Sequence, residues 1–189
     1  MSRSTAAYWE PLWASGRRYL QIDDSETRLL ERHPGPGLGR PALDIGCGDG
    51  QLTHHLHHRL GYRATGIDCS PSALALARAR PQPALPGPTY RLVDVTCDGI
   101  TAIPEPAYNA ITCRLVFSFL PDKPAFLSLV RRLLAPGGTF WVLTELAERC
   151  PPERRSLGIT AQDVELLTTG WSRVRGADLG RLRCYALRP

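Results

Sequence analysis

A single lysine, Lys123, stands among the 23 basic residues of this chain, so its net charge of +5 is an arginine charge. The arginines include scattered pairs, Arg17-Arg18, Arg131-Arg132 and Arg154-Arg155. A nucleic-acid reader gathers basic residues into one stripe with aromatics between them. Nucleic acid is therefore not the expected partner, and the pairs read as solvated surface. No run approaches the ~18 consecutive apolar residues of a membrane helix. No apolar stretch follows Met1-Ser2-Arg3-Ser4, as a secretory signal requires. The expectation is a cytoplasmic protein with no membrane partner. The six cysteines, at positions 47, 69, 97, 113, 150 and 184, form no Cys-x-x-Cys pair. Several lie in strand-like apolar runs, where buried reduced thiols are the plain expectation. There is no internal repeat and no biased tract, and 189 residues suffice for one domain with a substantial core but not for two ordinary ones.

What is present divides into a short N-terminal region and a longer alternating one. Tyr8, Trp9, Trp13, Tyr19, Leu20, Leu29 and Leu30 punctuate a polar stretch that is helical in parts. The proline- and glycine-rich segment His33 to Pro41 ends any helix. Residues 1–39 are thus expected to form a helical cap and linker, and residues 40–189 the core of a single domain. From there, apolar strands are expected at Ala42–Cys47, Ala64–Cys69, Tyr90–Val95, Ala107–Val116 and Thr139–Leu146. Between them, Leu52, Leu56 and Leu60 recur at helical spacing. Ser70-Pro71 offers an N-cap and a first-turn proline to an alanine-rich helix, and Pro81 to Pro88 is a proline-rich loop. A helix over Asp122–Ala135 is expected to stop at Pro136-Gly137-Gly138. Strands alternating with helices imply parallel pairing through right-handed crossovers. The ending differs. Thr160-Ala161-Gln162-Asp163 resembles a capping box, and Trp171–Ala177 and Arg181–Leu187 are separated by too few residues for anything but an antiparallel hairpin.

The first of these strands runs into Gly46-Cys47-Gly48-Asp49-Gly50 and then into helix. Glycines at such a turn let backbone approach a ligand, and the helix start offers free N–H groups. The dinucleotide pattern G-x-G-x-x-G would need glycine at 51, where Gln51 stands. Asp44, at the end of the first strand, is costly to bury unless paired. It favours a cationic ligand over an anionic pyrophosphate. Asp68 ends the second strand about 20 residues past the glycines, where a carboxylate can accept from both hydroxyls of a ribose. Asp94 ends the third. Open α/β sheets take their ligands beside this edge.

These residues resemble the motifs of class I S-adenosylmethionine-dependent methyltransferases. Asp44 to Gly50 is similar to the family's first motif, and Gly66-Ile67-Asp68-Cys69-Ser70 to its ribose-binding acidic turn. Asp94-Val95 resembles the pair that reads adenine. Leu134-Ala135-Pro136-Gly137-Gly138 resembles the turn before the fifth strand, and the terminal hairpin the family's reversed last strand. The likeness covers roughly residues 40–189. The stretch from Ile111-Thr112-Cys113-Arg114-Leu115 through Trp141, with Gly158-Ile159-Thr160, looks like small actinobacterial-type members. The implied fold is an α/β Rossmann-like three-layer sandwich with a mostly parallel seven-stranded sheet and a reversed C-terminal strand. The implied cofactor is S-adenosylmethionine, held by Asp44, Gly46, Cys47, Gly48, Asp68, Cys69, Asp94, Val95 and Arg114. Two departures stand out. Asn109 follows Tyr108 where the family usually has aspartate, and Cys113-Arg114-Leu115-Val116 replaces the Asn/Asp-Pro-Pro-aromatic signature of many amino-group methylating enzymes.

Methyl transfer from a sulfonium needs no acid for its leaving group, and alignment and desolvation supply most of the acceleration. No fixed catalytic residue is therefore assigned. Arg114 could bind a carboxylate of cofactor or substrate, or pair with an aspartate at the core edge. Glu145 could act as a base or hold an amine on the substrate side, or end its strand in solvent. Tyr8, Trp9 and Trp13 could cover the substrate, since aromatic faces suit a sulfonium, or simply pack the cap. His54 and His58 share a helical face, but no neighbouring carboxylate or cysteine completes a metal site. The histidines read as a solvated face, Cys113 as a buried thiol, and no metal is expected. A small-molecule acceptor is the leading expectation. RNA or protein methylation, another use of S-adenosylmethionine, and non-catalytic binding are the alternatives.

Overall fold

A computed structural model describes residues 5–83, 86–98, 102–104 and 107–189. Met1–Ser4, and residues 84 and 85 of the expected proline-rich loop, lie outside the described residues. Seven strands form one sheet: β1 (Pro41–Ile45), β2 (Arg63–Asp68), β3 (Thr89–Leu92), β4 (Tyr108–Arg114), β5 (Leu134–Glu145), β6 (Arg173–Leu179) and β7 (Leu182–Arg188). Their order is β3-β2-β1-β4-β5-β7-β6. The first five pair in parallel, and β7 runs antiparallel to both β5 and β6. The Rossmann-like sheet with its reversed C-terminal strand is therefore as the motifs imply.

Successive side chains on a strand face opposite sides of the sheet, and here that alternation builds two cores. Leu43 and Ile45 of β1, Ile111 and Cys113 of β4, and Phe140 and Val142 of β5 pack with α5 (Lys123–Leu133). Ala42, Ala110, Trp141 and Leu143 instead pack with Leu52, Leu56 and Leu60 in and beyond α3 (Gln51–His58). Leu29 and Leu30 of α2 (Asp24–Arg32) join this second core. The buried strands read as apolar runs because both faces are covered. The two expected caps are present. Ser70 Oγ accepts from the Ala73 N–H at 3.0 Å to open α4 (Pro71–Ala79). Thr160 and Asp163 form a reciprocal capping box on α6 (Ala161–Thr168).

Two boundaries and one helix face differ from expectation, each for a local reason. Pro136-Gly137-Gly138 is not a loop: β5 begins at Leu134, directly after α5, and pairing jumps from Tyr108↔Leu134 to Ala110↔Thr139. Gly137, at φ 72°, absorbs the extra residues of this irregularity. β3 stops at Leu92 rather than Val95, because side chains take over the backbone's bonds. Asp98 Oδ2 accepts the Asp94 N–H at 2.8 Å, and Asp94 Oδ1 accepts the Thr96 N–H at 3.0 Å. The α3 histidines are not simply solvated. Ring Nε2 atoms of His54 and His57 meet the carbonyls of Pro81 and Pro86 at 3.2 and 2.9 Å, and His58 meets Gln82 Oε1 at 2.8 Å. They hold the proline-rich loop against the helix. Among the described residues no helix is long and apolar enough to cross a membrane.

Candidate active site

Where β1 ends, the chain turns through Gly46, Gly48 and Gly50, all in the left-handed region at φ 67°, 54° and 79°. Space as well as backbone demands glycine here. A Cβ at Gly46 would collide with Val116 Cγ2, and one at Gly48 would lie 2.9 Å from Trp13 Cζ2. Behind the loop, Asp44 is buried between two hydroxyls, with Thr53 Oγ1 donating at 2.7 Å and Thr112 Oγ1 at 2.8 Å. Burial nonetheless pushes its carboxyl up to about 6 from the usual 3.8, against those hydrogen bonds and the charge of Arg114. At the end of β2, Asp68 Oδ2 accepts the Gly48 N–H at 2.8 Å and Oδ1 the Ser70 N–H at 2.9 Å. Burial raises its pKa too. Asp94 follows β3, nearly buried, one step along the same edge.

The N-terminal segment roofs this edge. Glu10 of α1 (Thr5–Ala14) places its carboxylate at the start of α4, where the helix dipole favours negative charge. It accepts from Ser70 Oγ and Ser72 Oγ, each at 2.6 Å, and from the Ser72 N–H at 3.2 Å. These bonds hold its carboxyl below the ordinary range. Trp9 packs edge-on against Phe119 at 4.8 Å, and Trp13 against Tyr19 at 4.8 Å. The chain between α1 and α2 is tied to β4: Arg114 donates to the carbonyls of Leu20 at 2.8 Å and Gln21 at 3.3 Å.

Residues 43–140, more than half of the chain, match a family model described as a methyltransferase domain. The chain belongs to that family. Its relatives include a ubiquinone biosynthesis O-methyltransferase of Albidiferax ferrireducens, 29% identical over 143 residues, which are 76% of this chain and 55% of that protein. Another is a trans-aconitate 2-methyltransferase of Methylobacterium radiotolerans, 37% identical over 129 residues, 66% of this chain and 46% of that one. The chain thus spans about half the length of these relatives. Among solved structures, the DhpI–SAH complex aligns with a TM-score of 0.71 at 21% identity, covering 98% of this chain and 95% of that one. A TehB-like SAM-dependent methyltransferase from Corynebacterium glutamicum aligns at 0.61 and 20% identity, covering 97% and 95%. At such identities the likeness is one of fold. Together with the family match it puts the domain in the class I S-adenosylmethionine-dependent methyltransferase superfamily.

The methyltransferase domain brings most of the sequence-selected residues to one cavity. Asp44, Gly46, Cys47, Gly48, Asp68 and Cys69 line it, as do Asp94, Val95 and Arg114, with Trp9 and Trp13 above. Three selections need correction. Arg114 lines the cavity, but its guanidinium is committed to Glu26 of α2, with Nε to Oε1 at 2.6 Å and Nη2 to Oε2 at 3.0 Å. The partner is a glutamate of the N-terminal segment, not an aspartate at the core edge. Glu145 is neither solvated nor at the cavity. It is buried at the end of β5, paired with Arg181 at 2.9 Å and Arg154 at 3.3 Å, arginines that the following loop and the terminal hairpin bring to it. Tyr8 is 55% exposed, off the cavity, its ring 5.0 Å from Trp9. Cys113 is fully buried, with its thiol pushed up by burial. Glu10, Tyr19 and Glu26 belong to the site's architecture and were not selected. Tyr19 and its aromatic neighbours gave a signal, but the two glutamates gave none.

Proposed function

We propose that this domain binds S-adenosylmethionine at the carboxyl edge of β1 to β3 and methylates a small molecule held beneath the aromatic roof. The observation that carries this reading is the convergence of Asp44, Asp68 and Asp94 on one cavity behind a turn that admits only glycine. The residues fit the group. Asp44 would hold the cofactor's ammonium, and the backbone of Gly46, Cys47 and Gly48 would lie along it. Asp68 would take the ribose hydroxyls, with Cys69 beside it, and Asp94 and Val95 the adenine. A carboxylate offers about four lone-pair sites, and two of those on Asp68 are taken by Gly48 and Ser70. When bound, S-adenosylmethionine supplies a methyl group on a sulfonium, displaced in line with no acid needed. Trp9 and Trp13, which line the cavity, would exclude water and offer aromatic surface to the cation. The aromatic residues roofing the cavity and the small-molecule names of the relatives above support a small acceptor.

A pH dependence follows from Asp44. Its carboxyl is raised to about 6, so the ligand-free fold binds that proton more tightly than the unfolded chain, and ionising it costs stability as pH rises from about 4 to 6. An ammonium ligand needs the ionised form. Affinity for S-adenosylhomocysteine should therefore be full above about pH 7 and fall by up to ~10-fold per unit below about pH 6. Calorimetric titrations at pH 5, 6 and 7.5 read this directly, and a flat profile would remove Asp44 from the ammonium site. For the reaction itself, methyl-labelled S-adenosylmethionine is incubated with the protein and a cell extract, which is then fractionated. Label in a small-molecule fraction supports the proposal. Label confined to RNA or protein would overturn the small-acceptor reading.

A further inference from the structure

We propose that Glu10 latches α1 shut over the cofactor cavity, so that S-adenosylmethionine enters and leaves only when this helix lifts, a step that rests on the cofactor reading above. As it stands the cavity holds about 140 Å³, well short of the roughly 300–1,000 Å³ of pockets that enclose ligands of this class. Its walls on the sheet side are strand ends and the glycine turn, which the packed cores hold in place. The wall able to give way is α1, which supplies Thr5, Trp9 and Trp13. This helix has ten residues with Pro11 inside it. Isolated helices shorter than ~12–15 residues are marginal in water even without a proline, which removes a further backbone bond. Side-chain contacts, rather than helix propensity, therefore keep α1 where it is.

Those contacts follow the rim of the cavity. Thr5 Oγ1 shares a hydrogen bond with Thr96 Oγ1 at 3.1 Å, Trp9 lies against Phe119, and Trp13 lies over Gly48. Between them Glu10 accepts from Ser70 Oγ, Ser72 Oγ and the Ser72 N–H. Hydrogen bonds to an ionised group are roughly twice as strong as neutral ones, so the carboxylate gives the largest share of the polar hold. Two of the ties end one residue short of the cofactor groups. Ser70 also donates its N–H to Asp68 Oδ1, and Thr96 donates its N–H and its hydroxyl to Asp94 Oδ1. Seating α1 is thus coupled to both carboxylates proposed to hold the nucleoside. Beyond α1 the chain passes Gly16, at φ 82° with open space on its side-chain side, before Arg114 fixes the Leu20 carbonyl. Hinges are a few loop residues that absorb such dihedral changes. Gly16 lets α1 swing while α2 stays packed.

Stopped-flow mixing with S-adenosylhomocysteine, followed by tryptophan fluorescence, tests the latch. Glu10→Ala should speed association and dissociation together by about 10-fold, as expected when a sparse open form becomes common, while the dissociation constant moves by less than about 3-fold. Glu10→Gln keeps the shape without the charge and should fall between. If Glu10→Ala does not fold, Glu10→Gln carries the same comparison. In ligand-free protein, amide hydrogen exchange should rise in α1 but not in α2 or the sheet. Unchanged rates in Glu10→Ala overturn the latch. So does faster dissociation with affinity lost in proportion, which marks a residue that only supports the bound state. Exchange raised throughout the chain marks general destabilisation and also overturns it. Wild-type protein that gives no saturable signal with S-adenosylhomocysteine overturns the cofactor reading and the latch with it, whereas the other outcomes leave that reading standing.

Discussion

Glu26→Ala should destabilise the fold by about 3–5 kcal/mol, the usual consequence of leaving one member of a buried ion pair alone. Against a typical total of about 5–15 kcal/mol that is a severe loss. The side chains of Glu26 and Arg114 are only 4% and 12% exposed. Burial raises the Glu26 carboxyl even though Arg114 lies against it, so desolvation outweighs the attraction. The pair is therefore not a strong source of net stability, but either half without the other is a liability. Replacing both residues with methionine should recover most of the loss. It should not restore the roof, because the Leu20 and Gln21 carbonyls would still lack their donor. Urea denaturation of the single and double variants measures the first effect, and S-adenosylhomocysteine affinity of the double variant the second. A single-variant loss below about 1 kcal/mol would mean that the pair behaves as an exposed salt bridge.

Asp68→Ala should act on both fold and ligand. Two nearly buried N–H groups, on Gly48 and Ser70, lose their acceptor, at a cost of about 1–3 kcal/mol for each group left unsatisfied. The glycine turn is then held less firmly where the ligand would lie. The ribose hydroxyls would lose charge-assisted bonds worth about 1.5–3 kcal/mol, an affinity loss of roughly 10- to 150-fold. Asp68→Asn keeps the shape and one acceptor oxygen, and should fall between. Wild-type affinity in Asp68→Ala would mean that the residue only caps its own turn.

The parts of this account that were visible in the sequence are those that local physics decides. Strands buried on both faces appear as apolar runs, Ser70-Pro71 and Thr160–Asp163 cap their helices by contacts three residues away, and the glycines at 46, 48 and 50 announce a turn. The carboxylates at strand ends followed once the strands were placed. What could not be read depends on chain brought together from far apart. Glu26 meets Arg114 across 88 residues and Glu10 meets Ser72 across 62, and an isolated glutamate in a polar helix carries no mark of such a partner. Glu145 misled for the same reason: its position at a strand end was right, but the arginines that claim it come from the later loop and hairpin. The histidines bond mainly to backbone carbonyls, which every residue has, so their role in holding the proline-rich loop left no pattern. At Pro136-Gly137-Gly138 the usual stop signal served inside a strand, because a bulge accepts the same left-handed glycine that a loop does.

The central claim is that Asp44, Asp68 and Asp94 and the glycine turn form an S-adenosylmethionine site. Titration of S-adenosylhomocysteine into the wild-type protein at pH 7.5, followed by calorimetry, tests it most directly. The account predicts a saturable heat with one ligand per chain and an affinity weakened in Asp68→Ala. The absence of saturable heat at millimolar ligand would contradict it.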